Sequence, residues 1–216
     1  MPQPDPQEPD ATIDQHAIGD WLERLSEKSP TPGGGSVAAL VGAVGAALGS
    51  MVVAYTRGKK AFADAESQLG ETSKRLDRLR FVLFALADED AHAYSTLNEL
   101  MRLPEDDPRR VEHWTQAVQD AIDVPRAGVA SGASLASLLE TLAGNSNPWL
   151  GSDLAIAADL AAVAAAAFAW NVRVNLPQLQ AGEQTAAIEA ETDRLVAQAR
   201  ESADRVSVIV REQTQA

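Results

Sequence analysis

Residues 36–56 carry no charge and consist almost wholly of Ala, Gly, Val, Ser and a few larger apolar residues. A helix made from such a run leaves few options. It either spans a bilayer, which takes roughly 20 apolar residues, or it lies in the middle of a helical core. Gly45 and Gly49 form a GxxxG pair of the kind that membrane helices use. Yet Gly, Ala and Ser contribute little to insertion, and the other helical segments carry charged faces. A buried core helix is therefore expected. Gly42, Gly45 and Gly49 recur on one helical face, which predicts a groove for a neighbouring helix. The run opens with Thr31-Pro32-Gly33-Gly34-Gly35-Ser36. The first four N–H groups of a helix lack an intrahelical partner, and here no Cβ guards them. With the helix dipole behind them, they can cradle a polar or anionic ligand. A tight interhelical turn is the plainer reading of the same residues.

The 216 residues suffice for one ordinary domain. The chain has no cysteine, which removes disulfides, thiolate metal sites and thiol nucleophiles, and agrees with a reducing cytoplasm. A net charge of −13 argues against nonspecific binding to nucleic acid or anionic membranes. The N-terminus lacks the basic and apolar regions of a signal peptide.

Residues 1–10 are Pro-rich and acidic and are expected to be a disordered tail, leaving residues 11–216 as a single helical domain. Thr12 to Gln15 fits a capping box at the start of a helix over 12–28. Further helices are predicted from Ser36 to Arg57-Gly58, over 61–102 with an interruption at Gly70, over 107–143 with a kink at Pro125, over 148–176, and over 183–212. Asp107-Pro108 and Asn147-Pro148 are cap-then-proline start signals. No alternating strand pattern is present. The fold class is all-α: an antiparallel up-and-down bundle of five to six helices, dimerising through helix faces.

Asp90 is the most suggestive carboxylate. Leu79, Leu83, Leu86, Asp90, Leu97 and Met101 share one stripe at helical spacing. An acid within a leucine stripe is desolvated, which raises its pKa and suits it to proton transfer near neutrality. A buried Asp paired with Arg or a helix end is the even alternative. Asp153, Asn171 and Asn175 align on the fifth helix. They can hydrogen-bond a planar heterocycle, or merely cap helices and bridge neighbours. Arg57, Lys59 and Lys60 form a small basic island able to receive a carboxylate-bearing ligand, or a solvated helix end. Gly33 to Ala38 formally reads G-x-G-x-x-A, but no strand precedes it, so a dinucleotide site is rejected. His16, His92 and His113 have no metal-ligand spacing, and no metal is predicted.

With these residues in view, the chain resembles the cyclodeaminase/cyclohydrolase family, the helical half of formiminotransferase-cyclodeaminase and its stand-alone relatives. Ser29 to Ala39 is similar to that family's most specific signature, and continues into Met51-Val52 and Thr56 to Lys59. Asp88 to Tyr94 is similar to its acidic Asp-x-x-Ala-Phe/Tyr element. Val124-Pro125 follows, and then Asn147 to Asp153, Asn171 and Asn175 in the expected order. Trp149 departs from the pattern, standing where a second Asn is usual. The resemblance implies a homodimer that binds folate in a groove near the subunit contact. It also implies chemistry on the C–N bonds of the one-carbon unit of a tetrahydrofolate derivative, with no tightly bound cofactor. Asp90 would be catalytic. Gly33, Gly34, Gly35 and Ser36 would cradle the ligand, joined by Asp153, Asn171 and Asn175. Lys59 and Lys60 would meet the glutamate tail. A separate formiminotransferase is a possible partner. The competing expectation is a non-catalytic module that self-associates or binds a partner through the Gly42/Gly45/Gly49 face.

Overall fold

The computed structural model describes residues 17–179 and 182–215. Among them are six α-helices and no strand: α1 (Ile18–Ser26), α2 (Gly34–Thr56), α3 (Glu66–Met101), α4 (Pro108–Glu140), α5 (Gly151–Asn175) and α6 (Glu183–Gln215). Short 3₁₀ turns at Lys60–Ala65, Pro148–Leu150 and Leu176–Gln178 lead into α3, into α5 and out of α5. The all-α expectation holds, with ends close to those read from the sequence. The tail over 1–10 and the Thr12 to Gln15 capping box lie outside the described residues. The Asp107 cap forms, its Oδ1 accepting from the Arg109 N–H at 2.9 Å, with Pro108 as the first helical residue. Gly70 does not interrupt α3, which runs unbroken through it. One glycine costs a helix about 1 kcal/mol against alanine, little beside the packing of so long an element.

Helices α2, α3, α4 and α5 close into a ring of neighbours, and α6 lies across α4 and α5. Gly42 faces Leu83 and Ala164, Gly45 faces Leu160 and Ala157, and Gly49 faces Leu76 and Leu139. Moving down α2 thus moves up α3 and α5, so both are antiparallel to it. Gly128 against Phe168 and Gly132 against Ala165 set α4 antiparallel to α5. Ion pairs Arg126–Glu191 and Arg205–Glu140 set α6 parallel to α4. This is up-and-down topology. Helix α1 sits at the margin, held by Trp21, which is buried in the core.

The glycines of α2 are spent inside the chain. A Cβ on Gly45 would lie 3.0 Å from the Ala157 carbonyl oxygen of α5. Gly42, Gly45 and Gly49 are all buried, so this face builds the bundle and cannot be the self-association surface. The outward sides of α2 and α5 are apolar instead: Val44, Tyr55, Ile156, Val163, Trp170 and Val174 are all exposed. Both α2 and the segment Pro148–Gln178 are long and apolar enough to cross a membrane, with half of each apolar window buried in the bundle.

The buried seam of α3 repeats every seven residues. Leu69, Leu76, Leu83 and Leu97 occupy one position, and Thr72, Leu86, Ala93 and Leu100 the other. A seven-residue repeat is the mark of helices that wrap gently around neighbours. Met101 therefore falls off the seam and is 42% exposed, against the straight stripe read from the sequence, while Leu100 is buried in its place. Asp90 falls on the seam itself, midway between Leu83 and Leu97.

Candidate active site

The cleft of interest lies where the start of α2 meets the middle of α3, α4 and the end of α5. It measures about 160 Å³ and is lined by Gly34, Gly35, Asp90, Tyr94, Asn171 and Asn175, among others. Its floor is the opening turn of α2. Gly33 is the N-cap and has no side chain to offer, and the first intrahelical bond is the Val37 N–H to the Gly33 carbonyl at 3.1 Å. The N–H groups of Gly34, Gly35 and Ser36 precede that bond and have no partner within the helix.

Asp90 rests directly on this turn. A Cβ built on Gly35 would fall onto the Asp90 carboxylate, overlapping its carbon and both oxygens. Only glycine leaves the acid its place. Ser36 is buried, and its hydroxyl donates to the Ala87 carbonyl at 3.5 Å, fastening α2 to α3 one turn from Asp90. The Asp90 carboxylate has no hydrogen-bond or ion-pair partner among the described residues. Burial alone raises its pKa from the ordinary 3.8 to about 6. Of the alternative, a buried Asp paired with Arg or a helix end, no Arg among the described residues pairs with Asp90, but the acid does lie against a helix end, the opening turn of α2. The result is an acid that holds a proton part of the time near neutral pH and faces an open cleft.

Across the cleft stand two amides from α5, one turn apart. Asn175 Nδ2 donates to the Ala121 carbonyl of α4 at 2.8 Å. That carbonyl is free for a definite reason. In α4 it would accept from the N–H of residue 125, but Pro125 has none. The helix continues through the proline, and Asn175 fills the vacancy. Asn171 is different. Its Nδ2 is buried without any partner, an arrangement that costs about 1–3 kcal/mol. Its Oδ1 lies toward Gly34, 3.6 Å from where a Cβ there would sit.

The structure separates the other sequence candidates from this cleft. Gly33 and Ser36 shape the turn but do not line the cavity. Asp153 shares the azimuth of Asn171 on α5, yet 18 residues at about 1.5 Å each put it roughly 27 Å away. Lys59 and Lys60 follow the far end of α2, a helix of 23 residues and so about 34 Å long. They are exposed beside Arg57, which is engaged by Glu66 at 2.8 Å. The same pole holds Asn147, whose N–H donates to Thr56 Oγ1 at 3.0 Å, and Trp149, which is 90% exposed. Tyr94, Ala121 and Val174 line the cleft; Tyr94 entered the sequence reading only as the end of the acidic element, and the other two not at all. Tyr94 was findable, being one helical turn beyond Asp90. Among the described residues, no group of three His, Asp or Glu side chains is arranged to hold a metal. A larger cleft of about 460 Å³ between α3 and α4 is lined by Asp88, Glu89, His92 and Asp120, a poor host for an anionic ligand.

Known proteins with this architecture point one way. A family model described as formiminotransferase-cyclodeaminase matches residues 17–194. Formimidoyltransferase-cyclodeaminase of Gallus gallus is 32% identical over 197 residues, covering 89% of this chain. The match takes in only 36% of that relative's own length. Methenyltetrahydrofolate cyclohydrolase of Methylorubrum extorquens is 33% identical over 162 residues, 73% of this chain and 78% of that protein. The crystal structure of formiminotetrahydrofolate cyclodeaminase from Thermotoga maritima matches with a TM-score of 0.82 at 28% identity. That match covers 93% of this chain and 98% of the other.

Proposed function

Because the chain belongs to the formiminotransferase-cyclodeaminase family, we propose that it acts on the one-carbon unit that tetrahydrofolate carries on N5 and N10. The reaction is methenyltetrahydrofolate cyclohydrolase, formimidoyltetrahydrofolate cyclodeaminase or both. Asp90 is the catalytic residue in this reading. The observation that carries it is an unpaired, partly buried carboxylate resting on the open first turn of α2.

The chemistry asks for such a group. The methenyl carbon is a cationic amidine. Water adds to it, one C–N bond breaks, and both protons leave the water oxygen as the formyl C=O forms, one reaching the departing ring or aniline nitrogen and the other passing to solvent. In the deamination, N10 attacks the formimino carbon on N5, its proton is removed, and ammonia leaves after gaining a proton. One carboxylate serves each step. Ionised, it stabilises the cation and accepts the proton, and then returns it to the leaving nitrogen. A pKa of about 6 lets both forms exist within reach of neutrality. The unpaired N–H groups of Gly34 and Gly35 can receive polar atoms of the ligand.

The cleft holds one ring system, so the benzoylglutamate portion extends outward past Tyr94 and Val174. Lys59 and Lys60 can meet the glutamate tail only from a second copy of the chain, since in one chain they occupy the opposite pole. The apolar outer face of α2 and α5 supports a homodimer, because monomers rarely expose so continuous an apolar strip. The test is to mix the purified protein with methenyltetrahydrofolate and follow the loss of its absorbance, and separately to measure ammonia released from formiminotetrahydrofolate. Asp90→Asn is expected to keep the fold and lose turnover, and wild-type turnover is expected to rise with pH through about 6. Normal turnover by Asp90→Asn would remove Asp90 from the mechanism.

A further inference from the structure

We infer that Asn171 and Asn175 read the amide edge of the ligand's pterin ring, with Asn171 donating to the ring carbonyl O4 and Asn175 accepting from the ring N3–H. This assignment rests on the folate reading above and specifies which end of the ligand enters the cleft and by what pattern.

The pattern follows from what each amide has left to offer. Asn175 has committed its Nδ2 to the Ala121 carbonyl at 2.8 Å. Its orientation is fixed by a backbone acceptor that exists because Pro125 cannot donate. What remains for the cleft is the Asn175 carbonyl oxygen, an acceptor. Asn171 offers the opposite. Its Nδ2 is buried with no acceptor in the protein, and the residue lines the same cavity. It is the single buried side-chain polar atom without a partner among the described residues. Four residues apart on a helix, the two side chains are neighbours on one face. Together they present one donor and one acceptor side by side. A lactam edge, a carbonyl beside an N–H, is the complement of that pair.

The placement also orients the reacting atoms. In a reduced pterin, O4 lies next to N5, the nitrogen that carries the one-carbon unit. Asn171 Oδ1 faces Gly34, and the Asp90 carboxylate rests on Gly35, the next residue. A ring held through O4 by Asn171 therefore sets N5 and its one-carbon substituent beside Asp90. The cavity of about 160 Å³ is smaller than the roughly 300–1,000 Å³ of sites that enclose a whole drug-sized ligand, which fits a pocket for the ring alone.

The experiment uses 5-formyltetrahydrofolate and its 4-amino-4-deoxy counterpart, titrated calorimetrically into the full chain. The 4-amino ring presents an amino group in place of O4 and a bare N3 in place of N3–H, the reverse pattern. Wild type is expected to prefer the 4-oxo compound roughly 10- to 100-fold, the usual penalty for opposing like hydrogen-bonding groups in a closed site. Asn171→Leu should bind the 4-oxo compound more weakly and keep only the part of the preference that Asn175 supplies, with an unfolding midpoint no lower than wild type, because the Nδ2 it removes has no protein partner. Asn171→Asp, which turns the donor into an acceptor, should cancel the preference, since each compound then makes one match and one clash across residues 171 and 175. Equal affinity of wild type for the two compounds, or full discrimination kept by Asn171→Leu, overturns the assignment while leaving the folate reading intact. Binding of neither compound by wild type overturns both.

Discussion

Asp90→Asn should make the protein more stable above neutral pH, by an amount fixed by the burial of the carboxylate. Folding raises the Asp90 pKa from 3.8 to about 6. The folded state then binds the proton more tightly than the unfolded chain. Its contribution to stability is fully present below 3.8 and is lost as pH rises through about 6. At 1.36 kcal/mol per pKa unit, the whole cost of ionising Asp90 in place is about 3 kcal/mol. About 1.4 kcal/mol of it falls between pH 5 and pH 8. Asparagine has the same shape and no charge at any pH. The stability gap between Asp90→Asn and wild type should therefore widen by about 1.4 kcal/mol from pH 5 to pH 8, a growth of roughly 3–6 °C in midpoint difference for a chain of this length. Urea unfolding of both proteins across that range measures it, and taking the difference removes every other carboxylate from the comparison. Parallel stability curves would show that Asp90 is solvated or paired in the folded protein. A gap that narrows with pH would contradict a carboxylate whose pKa folding raises. Either result would refute the reasoning that singles out Asp90.

Three further substitutions probe the surroundings. Gly35→Ala places a methyl group on the Asp90 carboxylate; the overpacking should cost about 1–3 kcal/mol in urea unfolding, and turnover should fall by roughly two orders of magnitude as the acid is displaced. Pro125→Ala restores an N–H to the Ala121 carbonyl and releases Asn175; thermal unfolding should occur at the same or a higher temperature, whereas ligand affinity measured by titration should weaken roughly 10-fold. Val163→Asp puts a charge in the middle of the exposed α5 face, and light scattering should show a smaller particle than wild type, with the helical circular dichroism of the chain unchanged.

Much of this was readable in the sequence, and the failures have a common cause. Helix starts at Asp107 and Asn147, and the core role of 36–56, follow from local chemistry and held in three dimensions. Asp90 stands out because one acid in a leucine stripe violates the pattern around it, and such violations are where packing can yield to function. Azimuth, however, is not position. Asp153 and Asn171 point the same way around α5 but stand at opposite poles of the bundle, as do Gly35 and Lys59 along α2. Helical periodicity reports direction and is silent on axial distance between elements. The seven-residue seam of α3 was legible in Leu69, Leu76, Leu83 and Leu97, and reading it would have excluded Met101 and included Leu100. The Ser36 hydroxyl, expected in the ligand cradle, turns instead to the Ala87 carbonyl, an acceptor 51 residues away that no local pattern reports. Asn171 and Asn175 were identified as polar groups on one face, but only the Ala121 contact separates the amide that is tied down from the one that is free.

The proline within α4 has a bearing on anyone who would redesign this chain. A routine programme of thermal improvement removes helix-interior prolines, trims acids from apolar seams and fills glycine gaps. Applied here, the first two of those edits would leave the melting temperature the same or raise it, and each of the three would erase a part of the ligand site we propose. A screen on heat resistance alone would drift toward sturdy, inert bundles, so selection on this scaffold has to read out catalysis at every round.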